Sequence, residues 1–353
     1  MISREEYLKL PLEERYIKLD ASEKERAEEL FEKSITVDLH THIFGSVFFE
    51  YEYEQVRQMG VDGLFEAVPC LSEDFLESMK ILGRYKSITM KEPGLIPAYT
   101  AADVEKAKKE GKQAVLFQLE PHTFKRNPDL VEVAYGLGIR MALLTFNSRN
   151  YQGDGCSERT NGGLSYLGMD LIERMNKIGM MVDLSHVGIQ TTLDAIEHSK
   201  DPVLLNHTGA RVLNPPVLRL KPDEPLKAVA EKGGLIGISA IPNQLSSQKK
   251  QGIDDLLNHL DYCIKLVGIN HVAIGLDNVF RDQVAGHKKQ QAKNMVNFAR
   301  SGIVLAADYM WGIESPGEWP NIVRGLVKRG YSDSEIKKII GENALRVMRK
   351  IIG

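Results

Sequence analysis

Apolar residues in this chain gather into short runs rich in β-branched or aromatic side chains, each followed by a longer stretch whose apolar positions fall at helical spacing. The runs are ITVDLH (35–40), GLFEAVP (63–69), AVLFQLE (114–120), IRMALLT (139–145), MMVDLSH (180–186), VLLNH (203–207), LIGISA (235–240) and VAIGLD (272–277). Segments between them, such as TAADVEKAKKEGK, LSYLGMDLIERMNKIG and IDDLLNHLDYCIKLVG, carry an apolar stripe and mostly stop near a glycine, as amphipathic helices do. Eight such alternations predict an α/β chain folded as one (β/α)8 barrel, the TIM barrel. The alternative is a doubly wound open sheet, whose Gly-rich turn after the first strand would fall where this chain reads HTHIFGS. Residues 1–34 alternate charge densely, with Leu, Tyr and Ile at helical spacing; they predict exposed helices packed as an extension on a barrel of residues 35–353.

Charge and composition narrow the function. Of 353 residues, 45 are Lys or Arg and 48 Asp or Glu, so the net charge is −3, without the basic stripe that nucleic acid requires. No apolar run approaches the ~18 residues of a membrane span, and the start MISREEYLKLPLEER is too charged for a secretory leader, so a cytoplasmic protein with no membrane partner is expected. The three cysteines, Cys70, Cys156 and Cys263, are too scattered for a disulfide framework or a Cys-based zinc site. Any metal here must be held by His and carboxylates.

A barrel of this kind works at the C-terminal ends of its strands. The first run ends on Asp38, His40 and His42, the third on Glu120, the fifth on His186, the sixth on His207 and the eighth on Asp277. Residues i and i+2 of a strand share a face, so His40 and His42 can hold one cation. Glu120 closes an apolar run and needs a cation or a metal beside it. His186 and His207 could each be a core histidine bonded to backbone, but five N/O donors on one rim point to divalent zinc or a similar ion, with the carboxylate able to bridge two of them. A water shared by two such ions becomes a hydroxide near neutral pH, and hydrolysis is its natural use. Asp277 then moves the proton, unless it ligates metal or caps the next segment. His122 could line the pocket or support a ligand; His198, His259, His271 and His287 read as structural or surface residues.

In this order, DLHTH, GVDGLFEAVP, FQLE, LGIRMALLTFN, RNYQGDGC with GGLS, MNKIGMMVDLSHVG, NHTGAR, GINHVAIGLD and the C-terminal GIESPGEWPNIVRGLVKRGYSDSEIKKIIGENALRVM resemble the membrane (renal) dipeptidases, a branch of the amidohydrolase-like metal-dependent hydrolases. The resemblance covers most of residues 35–350. It implies that His40 and His42 bind the first zinc, Glu120 bridges, His186 and His207 bind the second, and Asp277 is the catalytic aspartate. It also implies a dipeptide substrate, attacked by the metal-bridging hydroxide, and a homodimer. Three departures stand out. His42 occupies a position where the family usually has Asp, Phe146 replaces a His that contacts the intermediate, and Arg219, matching the Arg that clamps the substrate carboxylate, comes one residue late, with Arg211 as the fallback. Two other readings compete. DLHTH also opens PHP-type phosphoesterases, although no phosphate cradle is evident, and a metal-binding barrel without catalysis would fit His42 and Phe146 but not Asp277.

Overall fold

The computed structural model describes residues 2–44, 53–69, 74–120, 124–277 and 300–353. All eight expected runs are strands: β1 Val37–Thr41, β2 Gly63–Val68, β4 Gln113–Leu119, β5 Ile139–Leu143, β6 Met181–Asp183, β7 Leu204–Thr208, β8 Leu235–Ile238 and β10 Val272–Ile274. They pair in parallel in the order β1-β2-β4-β5-β6-β7-β8-β10, a nearly closed barrel wrapped by helices. Across the seam, the Asp277 N–H donates to the His40 carbonyl at 2.9 Å, and Leu276 N–H donates to Asp38 Oδ1 at 3.0 Å. Three short strands lie outside the eight: β3 Leu95–Pro97, which adds to the edge of β4, and β9 Gln251–Gly252, which pairs with β11 Met310–Trp311.

Strand burial explains the sequence pattern. β1, β2, β7, β8 and β10 are buried at every position, because one face fills the bore and the other lies under helices. Two glycines are dictated by close approach: a Cβ on Gly237 would sit 2.1 Å from the Asn206 carbonyl oxygen, and one on Gly275 only 1.8 Å from it. The backbone at Gly237 and at Gly275 therefore presses onto the Asn206 carbonyl.

The N-terminal residues form helices Arg4–Lys9, Leu12–Arg15 and Ala21–Lys33; the first and third open with reciprocal caps, Ser3 with Glu6 and Asp20 with Glu23. Their expected exposure needs correction, since Tyr7 and Arg15 are buried. The Tyr7 hydroxyl donates to Glu318 and accepts from Gly312 N–H at 2.7 Å, Arg15 lies 3.4 Å from Glu318, and Arg4 pairs with Glu314. Residues 4–16 are thus clasped to residues 312–318.

Candidate metal centre

Strand geometry brings the expected rim residues together. His40 and His42 lie on one face of β1 and its continuation, with Nε2 atoms 3.1 Å apart. From the ends of β6 and β7, His186 and His207 bring their Nε2 atoms to 2.9 Å. The two pairs adjoin, with the His40 and His207 ring centroids 3.8 Å apart. Asp277 closes the ring of donors. Its Oδ1 is 3.6 Å from His40 Nε2 and 3.4 Å from His42 Nε2, and its Oδ2 is 3.8 Å from His207 Nε2. Glu120 Oε1 lies 3.6 Å from His42 Nε2. Asp277 holds this place with a backbone φ of 56°, a left-handed conformation uncommon for a residue with a Cβ and characteristic of functional turns.

The electrostatics suit a cation. Burial disfavours the charged forms of His40, His186 and His207 and lowers their pKa values, that of His40 to about 3, so their ring lone pairs are available. Burial also opposes charge on His42, but its hydrogen bond to Asp277 and the Glu120 carboxylate outweigh this and raise its pKa to about 9. For Asp277 burial pushes upward, and the hydrogen bond and charge of the neighbouring His42 overcome it, so the carboxyl stays below its ordinary value as an ionised base. Two groups of ligand atoms, from His40, His207 and Asp277 and from His40, His42 and Glu120, each fall within 4.8 Å of one another. Imidazole nitrogens this close, ringed by two carboxylates, fit divalent ions.

Beneath the donors lies a layer of which the sequence flagged only Asp38. Asn147 Oδ1 is 2.7 Å from His186 Nδ1, and Asn206 Oδ1 bonds His207 Nδ1 and accepts from Ser185 Oγ at 2.8 Å. Gln118 Nε2 is 2.9 Å from His40 Nδ1, and Gln118 Oε1 accepts from Asn206 Nδ2 at 2.6 Å. Asp38 holds the backbone of the first motif: its Oδ1 accepts from His40 N–H at 3.1 Å and its Oδ2 from Trp319 Nε1 at 3.1 Å. Two signals were available in the chain: Gln118 shares the face of Glu120 at i−2, and Asn206 directly precedes His207.

The remaining expectations fall out as follows. Phe146 stacks on His186 with centroids 4.1 Å apart and rings 20° from parallel, forming an apolar wall beside that pair. Arg219 is buried under the rim, its terminal nitrogens donating to the Ser185 and His207 carbonyls, while its Nε has no acceptor among the described residues. Arg211 donates to the Leu220 and Leu218 carbonyls. His259 is a structural residue, accepting from Ala210 N–H at 3.0 Å through Nδ1 and facing the Leu245 carbonyl at 2.9 Å through Nε2. His122, His287 and Cys70 lie outside the described residues.

Known proteins resemble this chain in sequence and in fold. A family model described as membrane dipeptidase, peptidase family M19, matches residues 24–289 and 302–352. Dipeptidase verJ of Clonostachys rogersoniana is 28% identical over 320 residues, covering 85% of this chain and 75% of that relative. The crystal structure of an amidohydrolase from Pseudomonas aeruginosa superposes with a TM-score of 0.82 at 30% identity, over 93% of this chain and 99% of that one. A metallo peptidase from Rhodobacter sphaeroides, liganded with a phosphinate mimic of the dipeptide L-Ala-D-Ala, shares the fold with a TM-score of 0.73 at 18% identity, over 90% of this chain and 100% of that one.

Proposed function

Because this chain belongs to the membrane dipeptidase family, peptidase family M19, and is a metal-dependent dipeptidase, we propose that it cleaves small dipeptides at a centre for two zinc ions. The observation that carries this is the pair of histidine couples, each with Nε2 atoms about 3 Å apart, capped by Asp277 and Glu120. In this reading His40 and His42 would hold one ion and His186 and His207 the other, with Glu120 offering its carboxylate beside His42. Ions bound there polarise the scissile carbonyl and acidify a water.

The chain's own residues do the rest. Water adds to the amide carbon as a C–O bond forms, and Asp277, ionised and at the mouth of the donor ring, accepts its proton. The same carboxyl then returns that proton to the departing nitrogen as the C–N bond breaks, leaving two amino acids. Asn147 and Asn206 hold the His186 and His207 rings so that Nε2 faces inward. Arg219, buried beneath the rim with its terminal nitrogens donating to the Ser185 and His207 carbonyls, steadies the segments that carry His186 and His207 instead of facing the substrate. Phe146 gives the pocket an apolar side where a polar donor would otherwise stand.

The test is amino-acid release from a panel of L,L and L,D dipeptides by chelator-stripped protein reloaded with zinc. Chelator-sensitive release is expected. Silence across the panel with zinc content verified would overturn the reading and turn attention to simple phosphate esters. A homodimer and a cytoplasmic location, the latter resting on the free thiols of Cys156 and Cys263, complete the proposal; light scattering and cell fractionation check them.

A further inference from the structure

We infer that Gln118 makes the two ion positions unequal, so that the His186–His207 position fills first and the His40–His42 position is held back. The inference rests on the metal centre proposed above and concerns what lies behind each ligand. A histidine that gives its Nε2 lone pair to an ion must carry its proton on Nδ1, and in metal sites that N–H nearly always has an acceptor.

His207 and His186 meet this condition, since Asn206 Oδ1 and Asn147 Oδ1 face their Nδ1 atoms. His40 does not: its Nδ1 faces nitrogens, Gln118 Nε2 at 2.9 Å and Asn206 Nδ2 at 3.3 Å.

Turning the amides over does not relieve this. Gln118 Nε2 also donates to the Phe65 carbonyl at 3.1 Å, and a carbonyl can only accept. Gln118 Oε1 is held by Asn206 Nδ2, which in turn donates to the Leu39 carbonyl at 3.2 Å. Asn206 Oδ1 is fixed by the Nδ1–H that His207 must carry when its Nε2 meets an ion. Each amide is pinned by partners outside His40, and Gln118 is buried, so it has no solvent to rotate toward. Loading an ion on His40 therefore sets the Nδ1–H of its ring against an N–H of Gln118. Gln118 is a positioning residue whose amide penalises one ion and leaves the other untouched.

The experiment titrates the chelator-stripped full chain with zinc against a competing chromophoric chelator, with bound metal counted by mass spectrometry and located by anomalous scattering. Two steps are expected, the tighter at His186 and His207. Gln118→Glu places at this spot an acid hydroxyl that donates to Phe65 and accepts from His40. Gln118→Ala leaves room for a water that does the same. Both variants should tighten the weaker step at least tenfold and leave the tighter one in place. Asn147→Ala should do the reverse, weakening the tighter step by ~10–100-fold. Circular dichroism confirms that each variant is folded, and either Gln118 variant alone decides the matter. Two equal steps in the parent, or a weaker step unmoved in a folded Gln118 variant, would overturn the inference while leaving the dipeptidase reading intact. Failure to bind any zinc would overturn both.

Discussion

The N-terminal clasp and the metal rim are both crowded with buried ionisable groups, yet they satisfy them in opposite ways. In the clasp every acid has a partner within reach: Glu318 has Tyr7, Arg15 and Ser315, and Glu314 has Arg4 and the Met310 N–H. On the rim, like faces like, with imidazole nitrogens 2.9 and 3.1 Å apart and carboxylates at 3.4–3.8 Å. The clasp surrounds its buried charges with fixed hydrogen bonds from the fold, whereas the rim gathers imidazole lone pairs and carboxylates at one point, where an arriving cation can share them.

That contrast predicts separable effects. The largest is Asp277→Asn, which should lower turnover by ~10²–10⁴-fold with zinc content and folding unchanged; near-normal kcat in the reloaded variant would remove Asp277 from proton transfer. On the clasp, Glu318→Ala strands the buried Arg15 and should cost about 3 kcal/mol in urea unfolding while kcat of the folded enzyme stays put. If the rim alone awaits a cation, zinc must displace the proton that Asp277 and Glu120 keep on His42. Affinity should then rise about tenfold per pH unit up to pH about 9 and flatten above it, as read by competition titration. Trp319→Phe removes the indole hydrogen bond that joins the clasp side to Asp38 and should cost about 1 kcal/mol. A pH-dependent effect concerns Glu314. Burial raises its pKa to about 7 against the pull of Arg4, so the folded state keeps a proton that the unfolded chain releases. That contribution is whole below pH 4.5 and disappears as pH rises through 7; Glu314→Gln should flatten the stability profile across that window.

The strands were legible because a barrel buries both faces of each, leaving unbroken apolar runs. β3 escaped notice because three residues ending in a proline make no pattern. His40, His42 and Glu120 could be read from strand ends, where periodicity says which side chains face the mouth. Gln118, Asn147 and Asn206 could not be read in the same way. An amide beside a histidine looks the same in sequence whether it presents oxygen or nitrogen, and that choice is made by carbonyls from other strands, such as Phe65 and Leu39. The clasp was hidden for a different reason: Tyr7 sits in a segment as charged as any surface helix, and its partner is 311 residues away.

That last separation bears on how the protein is made. At ~5–20 residues per second, a ribosome that has finished Asp38 needs roughly 15–55 s to supply Trp319, which lies 281 positions on. For most of that interval the first strand lacks its seam partners Leu276 and Asp277, and for all of it the indole that steadies its aspartate. The nascent barrel therefore stays open along one side until residues 276–319 have emerged, and the rim takes its final shape only then.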